Sequence, residues 1–517
     1  MFYYLCFTMK VFTAAQIRQI DRFTIEQEPI KSIDLMERAS VAIMRAFVKM
    51  FSASKPVFVF AGPGNNGGDG IALARLLVLL GYHVKVFILK SERYSSDNAV
   101  NIKRLEFQGI VRPQFIANVS DFPSIPINGV VVDSLFGSGL TRSLDGIAKE
   151  LVSHLNKFSG YRVAIDVPSG LYGEFNPNPN SNIVFRASHT ITLQFPKLSF
   201  FFPENDKYLG DWQIVDIGLH PNAIGQTISP YFYVDEATAV TLLPQRNRFD
   251  HKGVRGHCLA IAGSKGMYGA AIITAKSCLK AGAGLVTLHV PNNALPIIQQ
   301  ALPEAIVSLD SNPEKFSQVA LNNKYSAIAI GPGLGKAAVS VEGFKHLLKQ
   351  AKKPLVVDAD ALNILADNPE MLSMLPKGSV ITPHLGEFGR LFGNYGSGYE
   401  RVEAAKRVAI KLGIVIVIKG AFSQVVNTDG MVFFNSTGNP AMATGGSGDS
   451  LTGIVLSLLG QGLSSINAAI LGVFLHGKAA DIALKRKGGG TSLASDIATG
   501  LSPALADLYG KQDLTNK

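Results

Sequence analysis

The chain has 517 residues, 47% of them hydrophobic and 17% charged; that balance excludes a disordered chain, and the length allows two to four domains of roughly 100–200 residues, each with its own core. The formal net charge of +10 comes without a basic stripe interleaved with aromatics, the densest basic run being Lys485-Arg486-Lys487, so it points to phosphate-bearing small molecules and away from nucleic acid. The cysteines, Cys6, Cys258 and Cys278, form no CxxC pair, which excludes a disulfide framework and a structural zinc site.

In chain order, MFYYLCFTMK (1–10) is a brief apolar run with no positive region before it, too short for a signal peptide or a membrane span. Met9 is the expected start, and a cytoplasmic protein with no membrane span is the expected setting. Residues 13–51 read as two helices separated by Pro29, the second with apolar residues at helical spacing. PVFVFAGPGNNGGDG (56–70) is a strand and a glycine loop, and the helical run IALARLLVLL follows, ended by Gly81. VKVFIL (84–89), GVVVDSLFGSGL (129–140), YRVAIDVPSGL (161–171), HTITLQF (189–195) and WQIVDIGL (212–219) are further strands with polar or glycine loops. Scattered prolines over 221–250 mark a linker, with the domain boundary near 230–245. A second alternating series follows: HCLAIAGSKGMYGAA (257–271), AIAIGPGLG (327–335), PLVVDADAL (354–362), SVITPHLGE (379–387) and GIVIVIKG (413–420). SQVVNTDGMVFFN (423–435) reads as a hairpin turning at Thr428-Asp429-Gly430, and ATGGSGDSLTGIVLSLLG (443–460) as a glycine loop running into a helix. Another helix covers about 467–484. Strands alternating with helices imply an α/β fold with mostly parallel sheets covered on both faces.

In such sheets ligands bind beyond the carboxyl ends of the strands, where all these loops sit. Gly62–Gly67 fits GxGxxG, yet the acid that a dinucleotide fold needs after its second strand is represented only by Glu92, and there is no GxxxxGK[ST] loop. Asn65, Asn66 and Asp69 are polar groups that a mere turn does not require. Asp133 and Asp166 each end an apolar strand; carboxylate, amide and hydroxyl oxygens converging there suit a hard cation. GPGNNGGDG, DSLFGSGL and DVPSGL in this order resemble the YjeF N-terminal family of NAD(P)H-hydrate epimerases, over about residues 10–225. The resemblance implies a Rossmann-like three-layer sandwich over 10–230. It also implies a substrate site of Asn65, Asn66, Gly67, Gly68 and Asp69 with Gly137, Ser138, Gly139, Leu140, Thr141, Arg142 and Ser143. Asn66, Asp133 and Ser169 would be ligands for potassium, and Asp166 a substrate contact and the acid/base.

In GGSGDSLTG (445–453), Asp449 stands at a helix start behind small residues, where free N–H groups can cradle a phosphate. Asp is also the commonest helix cap, so GxGD alone leaves both readings open. The loop resembles the ribokinase-like superfamily. With GSKGMYGAA, GPGLG, DADAL, TPHLGE, KGAFSQVV and GNPAMATGGSGD the chain is similar to the YjeF C-terminal family, ADP- or ATP-dependent NAD(P)H-hydrate dehydratases, over about 245–505. The resemblance implies a ribokinase-like α/β domain over 240–510. Ala271, Gly333 or Gly335, and His384 would contact the hydrated dinucleotide, Lys419, Gly420, Ala421, Phe422, Ser423 and Gly448 the nucleotide, and Asp449 would be catalytic. Phe422, Ser423 and Ser447 depart from common family residues, and Ser423 and Ser447 keep hydroxyls where they are expected.

The implied function is repair of hydrated NADH and NADPH: epimerisation of the R and S hydrates, then dehydration of the S form with ADP and magnesium, giving AMP and phosphate. A small-molecule kinase is the alternative that the GxGD loop permits. The expected partners are small molecules, with no nucleic acid and no membrane, and the helical arm at 10–50 suggests a homo-oligomer.

Overall fold

A computed structural model describes residues 9–176 and 183–515. The expectations for residues 1–8, Cys6 among them, lie outside the described residues. The chain packs as two units: Lys10–Ser229, and Pro230 onwards apart from Ser397–Tyr399.

The first unit is built on seven parallel strands in the order Gln114–Ile116, Val84–Leu89, Val57–Ala61, Val130–Ser134, Tyr161–Ile165, His189–Leu193, Asp211–Val215. Val57–Ala61 is buried along its whole length, as expected of a strand covered on both faces. The order reverses between Val57–Ala61 and Val130–Ser134, so the loops after them diverge and open a crevice, the usual ligand position in a doubly wound sheet. Helices Ala14–Gln27 and Ser32–Met50 lie either side of Pro29 as the periodicity requires, the first begun by a capping box between Thr13 and Gln16.

The start of the helix after Val57–Ala61 differs from the sequence reading. The polar stretch after Gly64 is not a loop: the helix starts at Asn65 and runs to Leu79, so Asn65 to Gly70 are its opening turns. Five glycines and asparagines in six residues are poor helix formers, but packing overrides them. A Cβ on Gly67 would lie 1.9 Å from the Gly62 carbonyl oxygen, and one on Gly70 1.9 Å from the Ser134 hydroxyl.

In the second unit ten strands of the sheet run in the order Tyr231–Val234, Val432–Asn435, Gln424–Val426, Val415–Ile418, Val380–Ile381, Leu355–Val357, Ala327–Ile330, His257–Ile261, Leu285–Val290, Ile306–Leu309. The strands from Val415–Ile418 to Ile306–Leu309 are parallel, and the hairpin expected at Thr428-Asp429-Gly430 adds two antiparallel pairings. Tyr231–Val234, which falls in the segment read as a linker, pairs in parallel with Val432–Asn435. Four residues show no period of their own; stacking of Phe232 on Phe433, ring centroids 5.0 Å apart, supplies what the local pattern lacks. Helices Ser447–Gly460 and Ser465–Arg486 follow. The latter has the length and apolarity of a membrane span, but 72% of the qualifying window is buried inside the fold, as in a core helix.

Candidate active sites

The first site lies at the switch point. Asp133, on the last turn of its strand, is wholly buried. It accepts hydrogen bonds from the Ser169 hydroxyl at 2.6 Å, the Ser169 N–H at 2.8 Å and the Leu135 N–H at 3.1 Å. Burial still pushes its carboxyl up to about 6, against those hydrogen bonds. The amide of Asn66 is buried with neither its oxygen nor its nitrogen hydrogen-bonded within the protein, a cost that a ligand would remove. Asn66, Asp133 and Ser169 thus carry hard oxygen atoms on three separate elements.

Asp166 follows Tyr161–Ile165 with φ of 64°, in the left-handed region that a non-glycine residue holds at a cost and often at functional sites. Its carboxylate forms an ion pair at 2.6 Å with Lys197, whose side chain is 3% exposed, and accepts from the Ser138 N–H at 3.3 Å. Burial would raise this carboxyl; Lys197 and the bonds from Ser138 outweigh it and hold it below the usual carboxylate range. Lys197 also donates to the Thr192 hydroxyl at 3.0 Å and the Phe195 carbonyl at 3.0 Å. Gly137 separates the glycine-started helix from Asp166: a Cβ there would stand 3.2 Å from Asn66 Cβ and 3.3 Å from an Asp166 oxygen. Asn65, Gly139, Thr141, Arg142 and Ser143 are exposed around the crevice, while Gly67, Gly68 and Asp69 are buried beneath it and Leu140 is half-buried. Burial, with Asp166, Asp21 and Asp97 nearby, pushes Asp69 well up.

The second site gathers at the carboxyl ends of Leu355–Val357, Val380–Ile381 and Val415–Ile418. Gly446, with φ of 88°, begins the helix that carries Asp449 in its first turn. Nothing stands within 4 Å of a Cβ built on Gly445, and one on Gly448 would lie 3.2 Å from Lys419 Nζ. Burial, reinforced by Asp358 and opposed by Lys419, pushes the Asp449 carboxyl up to about 7. Lys419 is paired with Asp358 at 2.8 Å and lies 3.7 Å from Glu387; burial alone would lower this ammonium, but the two carboxylates raise it. Thr452 donates to the other Asp358 oxygen at 2.7 Å.

His384 caps Leu385–Phe392. Its Nδ1 accepts from the Gly386 N–H at 3.0 Å, and Glu387 returns a bond to the His384 N–H at 2.7 Å. The ring's Nε2 lies 3.5 Å from the Glu387 carboxylate, on a side chain 54% exposed. His384 is bridged to Lys419 through the backbone, so the expected substrate and nucleotide segments adjoin. Gly333 and Gly335 have φ of 60° and 75°, and the Gly335 N–H donates to Asp360 at 2.8 Å. Gly420 to Ser423 form the turn into Gln424–Val426, closed by the Ser423 hydroxyl donating to the Gly420 carbonyl at 3.0 Å; Ala421 is exposed and Phe422 half-buried. The Ala271 side chain is wholly buried and faces Gly263, so any contact with a substrate falls to its backbone.

Sequence reasoning named no role for Asp21, Lys197, Asp358, Glu387 or His476. Asp358 and Glu387 lie inside DADAL and TPHLGE, and the strand-end rule applied to Asp133 reaches Asp358 as well. Buried His476, pushed down to about 4 by its surroundings, is neutral and donates to the Ser447 carbonyl at 2.9 Å, bracing the glycine loop.

Two α/β units, one with a polar crevice at its switch point and one with a carboxylate poised near neutrality at a glycine-started helix, define a two-site enzyme acting on phosphate-bearing small molecules. The family model described as YjeF-related protein N-terminus matches residues 32–199, and that described as NAD(P)H-hydrate dehydratase matches residues 258–502. The bifunctional NAD(P)H-hydrate repair enzyme Nnr of Moorella thermoacetica is 35% identical, the match covering 97% of this chain and 97% of that one. Nnr of Escherichia coli K12 is 32% identical, covering 94% and 92%. The chain belongs to the family of bifunctional NAD(P)H-hydrate repair enzymes. Among solved structures, an ADP/ATP-dependent NAD(P)H-hydrate dehydratase from Bacillus subtilis, co-crystallised with ATP and Mg2+, is 32% identical and covers 53% of this chain and 97% of its own, with a TM-score of 0.46.

Proposed function

We propose that the first unit interconverts the R and S hydrates of NADH and NADPH, and that the second returns the S hydrate to NAD(P)H at the expense of ADP. The observation that carries the reading is Asp449, a half-buried carboxyl raised to about 7 in the first turn of a helix whose glycine start leaves open space. A carboxylate with that affinity is matched to taking a proton at neutral pH. Asp449 takes the proton of the hydroxyl on the hydrated ring, and the freed oxygen attacks the terminal phosphorus of ADP as AMP departs. The phosphate then leaves the ring carbon with the C–O electron pair, the neighbouring carbon gives up a proton, and the double bond re-forms. Lys419, held by Asp358, faces the phosphates together with the Gly420 to Ser423 turn and Gly448. Asp358, paired with Lys419, and Asp360 both raise Asp449 and would stand beside magnesium arriving with the nucleotide. That ion supplies charge neutralisation.

In the first unit, Asn66, Asp133 and Ser169 would hold potassium, which supplies a fixed positive charge beside the dinucleotide. Asp166, kept anionic by Lys197, accepts protons; Asn65 to Asp69 and Gly137 to Ser143 embrace the substrate. The reading includes a cytoplasmic setting and a homo-oligomer, the latter checked by sedimentation. The test is stoichiometry. Purified protein given the S hydrate of NADPH, magnesium and ADP should yield one AMP and one phosphate per NADPH. Phosphorylation of a sugar or vitamin, without NADPH formation, would promote the kinase reading.

A further inference from the structure

A hydrated dinucleotide carries a pyrophosphate, and so brings negative charge to a second site that is itself acidic. Asp358, Glu387 and Asp449 surround Lys419, and Asp360 adds a further carboxylate. An anionic substrate needs a cation on its own side of such a site. Around Gly333 and Gly335 two cations are already neutralised. Lys265 follows Ser264, whose hydroxyl donates to the Gly333 carbonyl at 2.9 Å, and is paired with Glu314. Lys336 follows Gly335 and is paired with Asp367 at 3.0 Å.

Arg390 is different. It lies on helix Leu385–Phe392, the helix that His384 caps. Its Nη2 donates at 2.8 Å to the side-chain oxygen of Asn363, a neutral amide, and no carboxylate pairs with it among the described residues. Asn363 belongs to helix Asp360–Asp367, whose first residue accepts from the Gly335 N–H. A Cβ built on Gly386 would stand 3.0 Å from His384 Cε1 and 3.6 Å from Arg390 Nη1, so imidazole and guanidinium flank one glycine. Arg390 and His384 are both exposed, and Asn363 is half-buried. One hydrogen bond to an amide thus orients the guanidinium, leaves its charge uncancelled and keeps other N–H groups available to fork onto an anion.

We propose that Arg390, oriented by Asn363, binds a phosphate of the hydrated dinucleotide in the second site. The two helices that carry Arg390 and Asn363 also carry or hold the segments expected on that substrate, His384 by capping and Gly335 through Asp360. The phosphates of ADP have Lys419 and the glycine-started helix of Asp449, so the two anions are met by separate cations. Arg390 acts on binding and takes no part in bond making, and Asn363 is a positioning residue. Two phosphates of the substrate share this chemistry: the pyrophosphate of both hydrates, and the phosphate on the adenosine ribose that only the NADPH form carries.

This inference rests on the dehydratase reading, and the test separates the two. Steady-state dehydration is measured with the S hydrate of NADH, the S hydrate of NADPH and ADP each varied in turn. Arg390→Met should raise the KM for hydrate about tenfold or more, with kcat and the KM for ADP unchanged, the mark of lost uniform binding. Arg390→Lys, a point charge without the fork, should recover part of that loss. Asn363→Asp keeps the hydrogen bond and adds a carboxylate. A contact that merely ties two helices together would survive that change, whereas a phosphate site loses its uncancelled charge, so the KM for hydrate should rise while thermal unfolding stays as in wild type. Equal rises for both hydrates put the pyrophosphate on Arg390, and a rise for the NADPH hydrate alone puts the ribose phosphate there; either supports the inference. An Arg390→Met variant with wild-type KM for both hydrates, or with a rise confined to ADP, would overturn the inference alone. Wild type that forms no NADPH from the S hydrate and ADP would overturn the dehydratase reading, and the inference with it.

Discussion

Both units place a glycine-rich stretch after a buried strand and start a helix there, yet the glycines answer to different forces. In the first unit a Cβ on Gly62 would lie 1.7 Å from the Leu135 carbonyl oxygen and one on Gly67 1.9 Å from that of Gly62, so these glycines let helix and strands close on each other. In the second, Gly445 has open space around it and Gly446 sits at φ of 88°. There the glycines clear room and turn the backbone. The carboxylates are opposed too: Asp166 is neutralised by a buried lysine, whereas Asp449 sits among other carboxylates and is raised to about 7. One sequence style thus serves packing in one place and ligand access in the other.

Substitutions can break that comparison. The largest effect is expected of Asp449→Asn, which should slow ADP-dependent dehydration about 10³-fold while leaving unfolding unchanged; steady-state kinetics on the S hydrate reads it. Lys197→Met strands the buried Asp166 carboxylate and should cost the first unit about 3–5 kcal/mol, and pairing it with Asp166→Leu should recover most of that in urea titrations. Gly67→Ala should cost about 2 kcal/mol through backbone overlap. Gly445→Ala should leave stability within about 0.5 kcal/mol and raise the KM for the nucleotide, whereas equal stability losses for both glycines would erase the contrast. Finally, the base form of Asp449 is the carboxylate, present above about 7 and lost as pH falls. Dehydration should then drop about tenfold per pH unit below neutrality, and a flat profile from 5 to 8 would remove Asp449 as the base.

Much of this was legible because the strands are short buried runs of β-branched and aromatic residues that end in polar loops. Asp133 and Asp166 were picked out by position, since a parallel sheet delivers its strand ends to one edge, and Asp449 by the small residues that precede a helix start. Lys197 was not: it lies in a turn after a strand, and only the folded topology brings it to Asp166. Tyr231–Val234 was missed because its pairing partner lies about 200 residues away at Val432–Asn435. The helical state of Asn65 to Gly70 was missed because tertiary packing overrides local propensity.

The most direct test of the two-site account is a time course on chemically hydrated NADPH holding both epimers, with magnesium, potassium and ADP, followed by dihydronicotinamide absorbance. Full recovery is predicted, and Asp166→Ala should stop near the S fraction and then creep at the spontaneous epimerisation rate. No recovery from well-folded protein, with ADP or ATP, would contradict the account.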